Sequence, residues 1–355
     1  MRFNISSKTL MSHLSAVSKV VNSKNTITIL DNFLFDLKGE ELVITASDSD
    51  TTLKTRIIVN DAEGEGKFAV NAKRLNELLK ELPEQGLKFE IDDNNLEINI
   101  YYMNGKFNFV GINGNEFPQK ALNDSDSRTF AIPAKEIVKG INQTIFAVGT
   151  EDLRPVMMGI LWDIKPEEIV FVASDTHKLV RYKNFRAQAG LEASFILPTK
   201  PASIVATIFA KEAGNVAVTI DSKCATFTTE DYTLNCRFVN GKYPKYNSVI
   251  PVDNPNQLSI DRETLLAAIR RVSVFASQGG LIKFEFRSNE IFLKAEDVDY
   301  STLAEETIPC DYSGDNISND TVTIKLSDSS RAGIFEPEKQ DEGEDLLVLL
   351  MPMMI

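Results

Sequence analysis

Histidine is nearly missing from this 355-residue chain, which contains only His13 and His177. Cysteine is scarce as well: Cys224, Cys236 and Cys310 form no C-x-x-C pair. A zinc centre needs His or Cys donors clustered at short spacing, so no metal ligand set is expected. Three widely spaced thiols suit a reducing compartment and read as buried thiols rather than a disulfide framework. Tryptophan occurs once, as Trp162, which leaves no aromatic platform of the kind a carbohydrate binder displays. No apolar run reaches the roughly 18 residues of a membrane span. The longest, Leu346 to Ile355, is interrupted by Pro352. The opening Met1-Arg2-Phe3-Asn4-Ile5 passes straight into strand alternation, with no apolar leader segment behind it. The phosphate-cradling patterns G-x-x-x-x-G-K-[ST] and G-x-G-x-x-G do not occur either.

What the chain has instead is repetition. The stretch Leu42-Val43-Ile44-Thr45-Ala46-Ser47-Asp48 returns as Ile169-Val170-Phe171-Val172-Ala173-Ser174-Asp175, and again as Ile291-Phe292-Leu293-Lys294-Ala295-Glu296-Asp297. Each copy is a β-branched and aromatic run ending in a polar turn, a strand entering a loop. The copies lie about 120 residues apart, the size of a domain rather than of a solenoid unit. Three tandem copies of one α+β domain follow, expected over residues 1–122, 128–251 and 256–355.

The first copy predicts a strand at Phe3-Ile5, a helix from Ser7 to Val21, strands over 29–37, 42–46 and 52–59, and a helix from Ala72 to Leu82. Strands over 87–91, 96–101 and 106–111 close it. The second copy repeats that order, with helices over 134–148 and from about Lys200 to Phe209. Leu10, Leu14, Val17 and Val21 make an apolar stripe. Lys8, Ser12, Ser15 and Lys19 share another face that is small and basic. Lys200, Ser203, Thr207 and Lys211 repeat this on a later helix. The third copy has a helix from Arg262 to Phe275, and near 318–320 its second helix is missing. This predicts either a true deletion or a segment absent from the sequence, with the second favoured.

Net charge is −13, which as a bulk figure argues against a nucleic-acid binder. Distribution reverses the argument. Lys and Arg collect on helix faces, while acids collect in loops and strand edges such as Glu40-Glu41, Asp92-Asp93, Glu167-Glu168 and Glu305-Glu306. A curved array of such domains presents a positive face to a polyanion and holds phosphates without reading sequence. Solvated lysines are the bland alternative for any single helix; recurrence in two copies favours function.

Catalytic signals are weak. Ser174-Asp175-Thr176-His177 invites a nucleophile reading, and a hydrolase using Asp175 and His177 is one alternative function. Adjacent residues seldom form a triad, however, and Ser-Asp closes the strand in two of three copies, so a turn cap is the better reading. Another alternative is a tandem-repeat β protein binding some other polyanion. Asp48/Asp50 and Asp92/Asp93 read as acidic turns rather than calcium ligands. The apolar tail should dock, with Leu347–Met351 as a final sheet strand, and its methionines would give an adaptable binding surface.

Val172-Ala173-Ser174-Asp175-Thr176-His177-Lys178-Leu179, Val239-Asn240-Gly241-Lys242-Tyr243-Pro244 and Met351-Pro352-Met353 together resemble the bacterial DNA sliding clamp family, the beta subunit of DNA polymerase III. The resemblance spans almost the whole chain and implies sheets outside, helices lining the inner face, and a head-to-tail dimeric ring. It implies a non-catalytic, cytoplasmic, nucleoid-associated processivity factor with no cofactor. Its partners would be double-stranded DNA, the replicative polymerase catalytic subunit, a clamp loader, other clamp-binding-motif proteins and a second copy of the chain, with no membrane contact. By the same resemblance, Lys24, Lys73, Arg154 and Lys200 would contact DNA. A peptide groove would use Met158, Ser174, Thr176, His177, Lys178, Leu179, Pro244, Val249, Leu349, Leu350, Met351, Pro352 and Met353. The dimer interface would use Arg74, Lys106, Phe107, Phe109, Val274, Phe275, Glu305 and Glu306. The family usually has arginine where Lys178 and Met354 stand, which alters the charge rim of the groove.

Overall fold

The computed structural model describes residues 1–22, 25–118, 127–151, 153–252, 254, 256–277, 280–287, 289–313, 317–319, 325–326, 333–337 and 339–351. Lys24, Pro352, Met353, most of the first linker and the point near 320 where the third repeat loses its second helix lie outside them.

The first repeat runs β1 (Arg2–Ser6), α1 (Ser7–Val17), β2 (Asn32–Lys38), β3 (Glu41–Ser47), β4 (Thr51–Ile58), β5 (Asn60–Glu63), β6 (Gly66–Asn71), α2 (Ala72–Lys80), β7 (Gly86–Ile91), β8 (Glu97–Tyr102), β9 (Gly105–Val110) and β10 (Ile112–Asn113). Each helix starts where a polar side chain satisfies its free N–H groups: Ser6 accepts from Thr9 N, and Asn71 from Arg74 N. Helix α1 buries Leu10, Leu14 and Val17 and ends at Val17, a turn earlier than its stripe suggests. The strand expected from Ile29 begins only at Asn32. The Asn32 amide donates to the carbonyls of Thr28 and Ile29 and holds residues 28–31 in a 3-10 turn.

The second repeat has the same order: β11 (Arg128–Pro133), α3 (Ala134–Thr144), β12 (Gly159–Ile164), β13 (Ile169–Ser174), β14 (Lys178–Asn184), β15 (Ala193–Pro198), α4 (Thr199–Ile208), β16 (Asn215–Ile220), β17 (Cys224–Thr228) and β18 (Tyr232–Arg237). Thr144 ends α3 by donating its hydroxyl back to Gly140 O at 2.8 Å, and a 3-10 turn over Ile145–Ala147 follows. The third repeat comprises β19 (Asn256–Ser259), α5 (Arg262–Ser273), β20 (Lys283–Arg287), β21 (Glu290–Asp297), β22 (Thr302–Pro309), β23 (Asp311–Ser313), β24 (Ile317–Asn319), β25 (Lys325–Leu326), β26 (Gly333–Phe335) and β27 (Glu344–Leu350).

The chain divides into two compact units, and the division cuts through the second repeat. Unit one holds residues 1–139 and 200–238; unit two holds 140–199 and 239–355. In unit one a sheet ordered β5-β1-β7-β8-β9 faces a nine-stranded sheet ordered β10-β6-β2-β3-β4-β18-β17-β16-β11. The rings of Phe3 and Phe89, 4.7 Å apart, and of Phe35 and Phe68, 5.0 Å apart, fill the space between the two sheets. In unit two the nine-stranded sheet is β15-β12-β13-β14-β27-β26-β25-β19-β23, and a four-stranded sheet is β22-β21-β20-β24. Trp162 packs with Phe171 and Phe195 in its core. Leu265, Ala268 and Val272 of α5 pack on Phe284, Phe286, Ile291 and Leu293.

The repeats are therefore joined by strand pairing rather than by linkers. β4 of the first repeat pairs with β18 of the second, with Thr51 opposite Cys236, Leu53 opposite Leu234 and Thr55 opposite Tyr232. β14 of the second repeat pairs with β27 in the same antiparallel sense, with Lys178 opposite Leu350 and Tyr182 opposite Leu346. The apolar tail thus contributes a strand, as its composition requires. Cys224, Cys236 and Cys310 form no disulfide.

Candidate functional site

The recurring Ser-Asp turn builds a corner at the end of each seam. In the first, Asp48 Oδ1 accepts the backbone N–H groups of Asp50 (3.2 Å) and Thr51 (2.8 Å). Its Oδ2 accepts the Lys200 ammonium at 2.6 Å, and that ammonium also bonds Val20 O and Asn22 Oδ1. Lys200 is expected above at DNA, but its charge is matched within its own unit. The corner in the second seam is built differently. Asp175 Oδ1 accepts from His177 N (2.9 Å) and Lys178 N (2.8 Å), and its Oδ2 is paired with the Lys178 ammonium. Burial pulls the Asp175 carboxyl upward, but the Lys178 ammonium and the two backbone donors prevail and hold it below the usual carboxylate range. This arrangement answers the hydrolase reading. Asp175 is tied to the turn's backbone and to a lysine, so it does not orient His177 as a base.

Beside this corner lies a groove of about 210 Å³, lined by Met157, Ser174, Thr176, Lys178, Leu179, Tyr243, Pro244, Lys245, Tyr246, Val249, Leu349 and Met351. That volume suits one or two apolar side chains, below the few hundred Å³ of a cofactor pocket. Three elements form it: the β13–β14 turn, the 243–249 loop and the end of β27. Ser174 Oγ donates to Lys178 O, and Met351 N donates to His177 O at 2.7 Å, tying the chain end to the turn. Thr176 takes a left-handed φ of 81°, which lets the turn close. On the far wall Tyr246 donates to Asp163 at 3.2 Å; burial, followed by the Asp163 charge, pushes its phenol up to about 12. Burial also pushes the Tyr243 phenol upward. The floor is apolar, and the ammonium-bearing residues Lys178 and Lys245 flank it.

Of the residues expected in the groove, Ser174, Thr176, Lys178, Leu179, Pro244, Val249, Leu349 and Met351 meet there. Met157 lines it, whereas Met158 contributes its carbonyl to the Thr199 hydroxyl at 2.8 Å. His177 takes part through its backbone, and Leu350 is the β27 residue opposite Lys178. Pro352 and Met353 lie outside the described residues. Met157, Tyr243, Lys245 and Tyr246 were missed, although Tyr243 and Lys245 flank the expected Pro244.

Among the other expected residues, Lys73, Arg74 and Arg154 are exposed. Lys106, Phe107 and Phe109 lie on β9, the outer strand of its sheet, and Phe107 stacks on Tyr102 at 4.6 Å. Glu305 and Glu306 lie on β22, the outer strand of the four-stranded sheet. Glu306 is paired with Arg271, and Glu305 is 3.8 Å from Lys294. Val274 and Phe275 are exposed just beyond α5.

Tandem sheet-and-helix repeats fused through β-seams, with no helix among the described residues long and apolar enough to cross a membrane, define a sliding-clamp fold. Solved clamps superpose over the whole chain. The Pseudomonas aeruginosa sliding clamp bound to griselimycin gives a TM-score of 0.91 at 22% identity, covering 100% of both chains. The Bacillus subtilis clamp gives 0.90 at 21%, covering 100% of this chain and 99% of that one. Among curated relatives, the beta sliding clamp of Pseudomonas aeruginosa is 24% identical over 378 residues, spanning 99% of this chain and all of its own length. The Bacillus subtilis clamp is 26% identical over 304 residues, 83% of this chain and 78% of its own. The chain belongs to the DNA polymerase III beta subunit family: the family's N-terminal domain model matches residues 1–122 and its central domain model residues 131–245. A beta subunit is a non-catalytic processivity factor.

Proposed function

We propose that two copies of this chain close head to tail into a ring around duplex DNA, slide without reading sequence, and tether a polymerase and other partners through the groove beside Leu179. The observation that carries this reading is the seam. Within the chain the same two elements of the repeat pair twice, as β4·β18 and β14·β27. Their remaining counterparts, β22 and β9, are the open outer strands of their sheets. Hairpin registers fix the equivalence: Glu97 faces Val110 as Cys224 faces Arg237, and Asp297 faces Thr302 where Asp48 and Asp175 bond Thr51 and Lys178. Extending the register to a second copy sets Thr302 opposite Phe109 and Glu305 opposite Lys106, an oppositely charged cross-strand pair. A heterologous contact that closes after two copies leaves no free edge.

On this reading the three repeats act as domains over 1–122, 128–251 and 256–355, the last lacking its second helix. Lys24 and Arg154 face phosphate, Lys200 being held by Asp48 instead, and the groove takes an extended peptide by apolar anchors, its lysine rim favouring a nearby carboxylate. The site of action is the cytoplasmic nucleoid. The test loads the protein, with a clamp loader, on a nicked circular plasmid and washes in high salt, which strips contacts made by charge alone. Cutting the plasmid should release the protein; retention on the linear form contradicts a topological grip.

A further inference from the structure

One acid recurs at the end of β3, after β13 and at the end of β21: Asp48, Asp175 and Asp297. All three use Oδ1 to cap their turn. For Asp297 the donors are the N–H groups of Asp299 (3.0 Å) and Tyr300 (3.3 Å). The second oxygen of Asp48 holds Lys200 and that of Asp175 holds Lys178, whereas no salt bridge to Asp297 exists among the described residues. The lysine that answers Asp48 stands second in helix α4. Its counterpart in the first repeat, second in helix α2, is Lys73, whose side chain is 83% exposed and whose only salt bridge among the described residues is to Glu77 at 4.0 Å.

The rest of the corner matches too. Lys200 also bonds the carbonyl of Val20, a residue just past α1 whose N–H donates to Val17 O. Just past α5, Phe275 N donates to Val272 O in the same way. The third corner therefore offers an acid and a carbonyl, and the first repeat offers an ammonium that nothing holds closely.

We propose that Lys73 of one copy enters the Asp297 corner of a second copy, bonding the carboxylate and the Phe275 carbonyl as Lys200 does with Asp48 and Val20. This rests on the head-to-tail closure above and adds the residue pair that locks each joint. Lys73 then serves the joint, not the DNA phosphates, just as Lys200 does inside the chain. A cation held by a carboxylate and a carbonyl together fixes geometry as well as charge.

The test uses full-length protein and sedimentation or native mass spectrometry across dilution. Lys73→Asp and Asp297→Lys each place like charges at both joints of a homodimer. Each should raise the dimer dissociation constant by about tenfold or more. An equimolar mixture of the two variants should regain tight dimers, because in the mixed ring both joints again pair opposite charges. Lys73 is exposed and Asp297 is half-buried at a turn, so unchanged thermal melting should confirm folding. An unchanged dissociation constant for either variant, or a mixture no tighter than its components, overturns the proposal. If Lys106→Glu disperses the dimer while the corner variants do not, the corner fails and the closure stands. If the wild-type chain stays monomeric at high concentration, both fail together.

Discussion

The two seams within the chain are the same join made twice, and each has a pocket beside it, but of different character. The one at the first, about 260 Å³, carries Asp36, Lys38, Lys54 and Lys67 in its wall, whereas the one at the second, about 210 Å³, is lined mostly by apolar and aromatic side chains. In the first, the corner acid is answered from a distance: Lys200 reaches it from α4 and at the same time grips Val20 and Asn22. In the second, the acid is answered locally by Lys178, three residues along the same turn. Beside that local pair Leu179, Leu349 and Pro244 line an open apolar channel.

That contrast can be broken in several places. The largest effect is expected from Leu234→Ala. Leu234 is fully buried opposite Leu53 at the centre of the first seam, and truncation should cost about 2–5 kcal/mol, read as a lowered midpoint in urea. Gly140→Ala comes next. Gly140 in α3 lies 2.4 Å, measured from a built Cβ, from the Phe171 ring of β13, so overpacking should cost about 1–3 kcal/mol. A wild-type urea midpoint would contradict that close approach.

Lys200→Met should cost more than Lys178→Met. The first leaves a carboxylate only 8% exposed with a lost partner, worth about 1–3 kcal/mol. The second leaves Asp175, which like Asp48 keeps its two backbone donors but is 20% exposed, and about 1 kcal/mol or less is expected. Equal losses would mean the two corners are not distinct.

His13 gives the first seam a pH dependence. It lies on α1 with Nδ1 2.6 Å from Thr55 Oγ1 and its ring near Tyr232, and burial lowers its pKa against the pull of Asp231. The folded value lies below the unfolded value of about 6.5. Stability is therefore full above about 6.5 and falls as pH drops below it, where the unfolded chain takes the proton more readily. His13→Gln should remove that slope from unfolding curves between about pH 5 and 7.

The smallest change in stability is expected from Val249→Ala. At 47% exposure in the groove wall, it should alter stability by less than about 0.5 kcal/mol. Its affinity for a groove-binding peptide should nonetheless fall several-fold, measured by titration.

Much of this was legible in the sequence where the signal was local. The Ser-Asp turns, the capped helices and the apolar stripe of α1 are patterns of neighbouring residues, and they fold as their spacing suggests. The strand at Ile29 was not foreseen correctly because the Asn32 amide turns back on two carbonyls, a contact that alternation does not encode. The seams were invisible for a deeper reason. Leu53 and Leu234 are adjacent in space only because two repeats share a sheet, and no periodicity connects residues that far apart. Half of the groove followed from that blindness. Leu179 and Leu349 were expected there through family resemblance, whereas Tyr246 and Lys245 stand in an irregular loop that only the fold brings to them.

The open strands β9 and β22 carry charges of opposite sign, Lys106 on one and Glu305 with Glu306 on the other. A newly made chain must live for a time with both uncovered. Two β9 strands meeting would set lysine near lysine, and two β22 strands would crowd glutamates together. Face-to-face partnerships between like edges are thereby disfavoured, which in the proposed ring would steer a fresh subunit to join nose to tail before it could join wrongly.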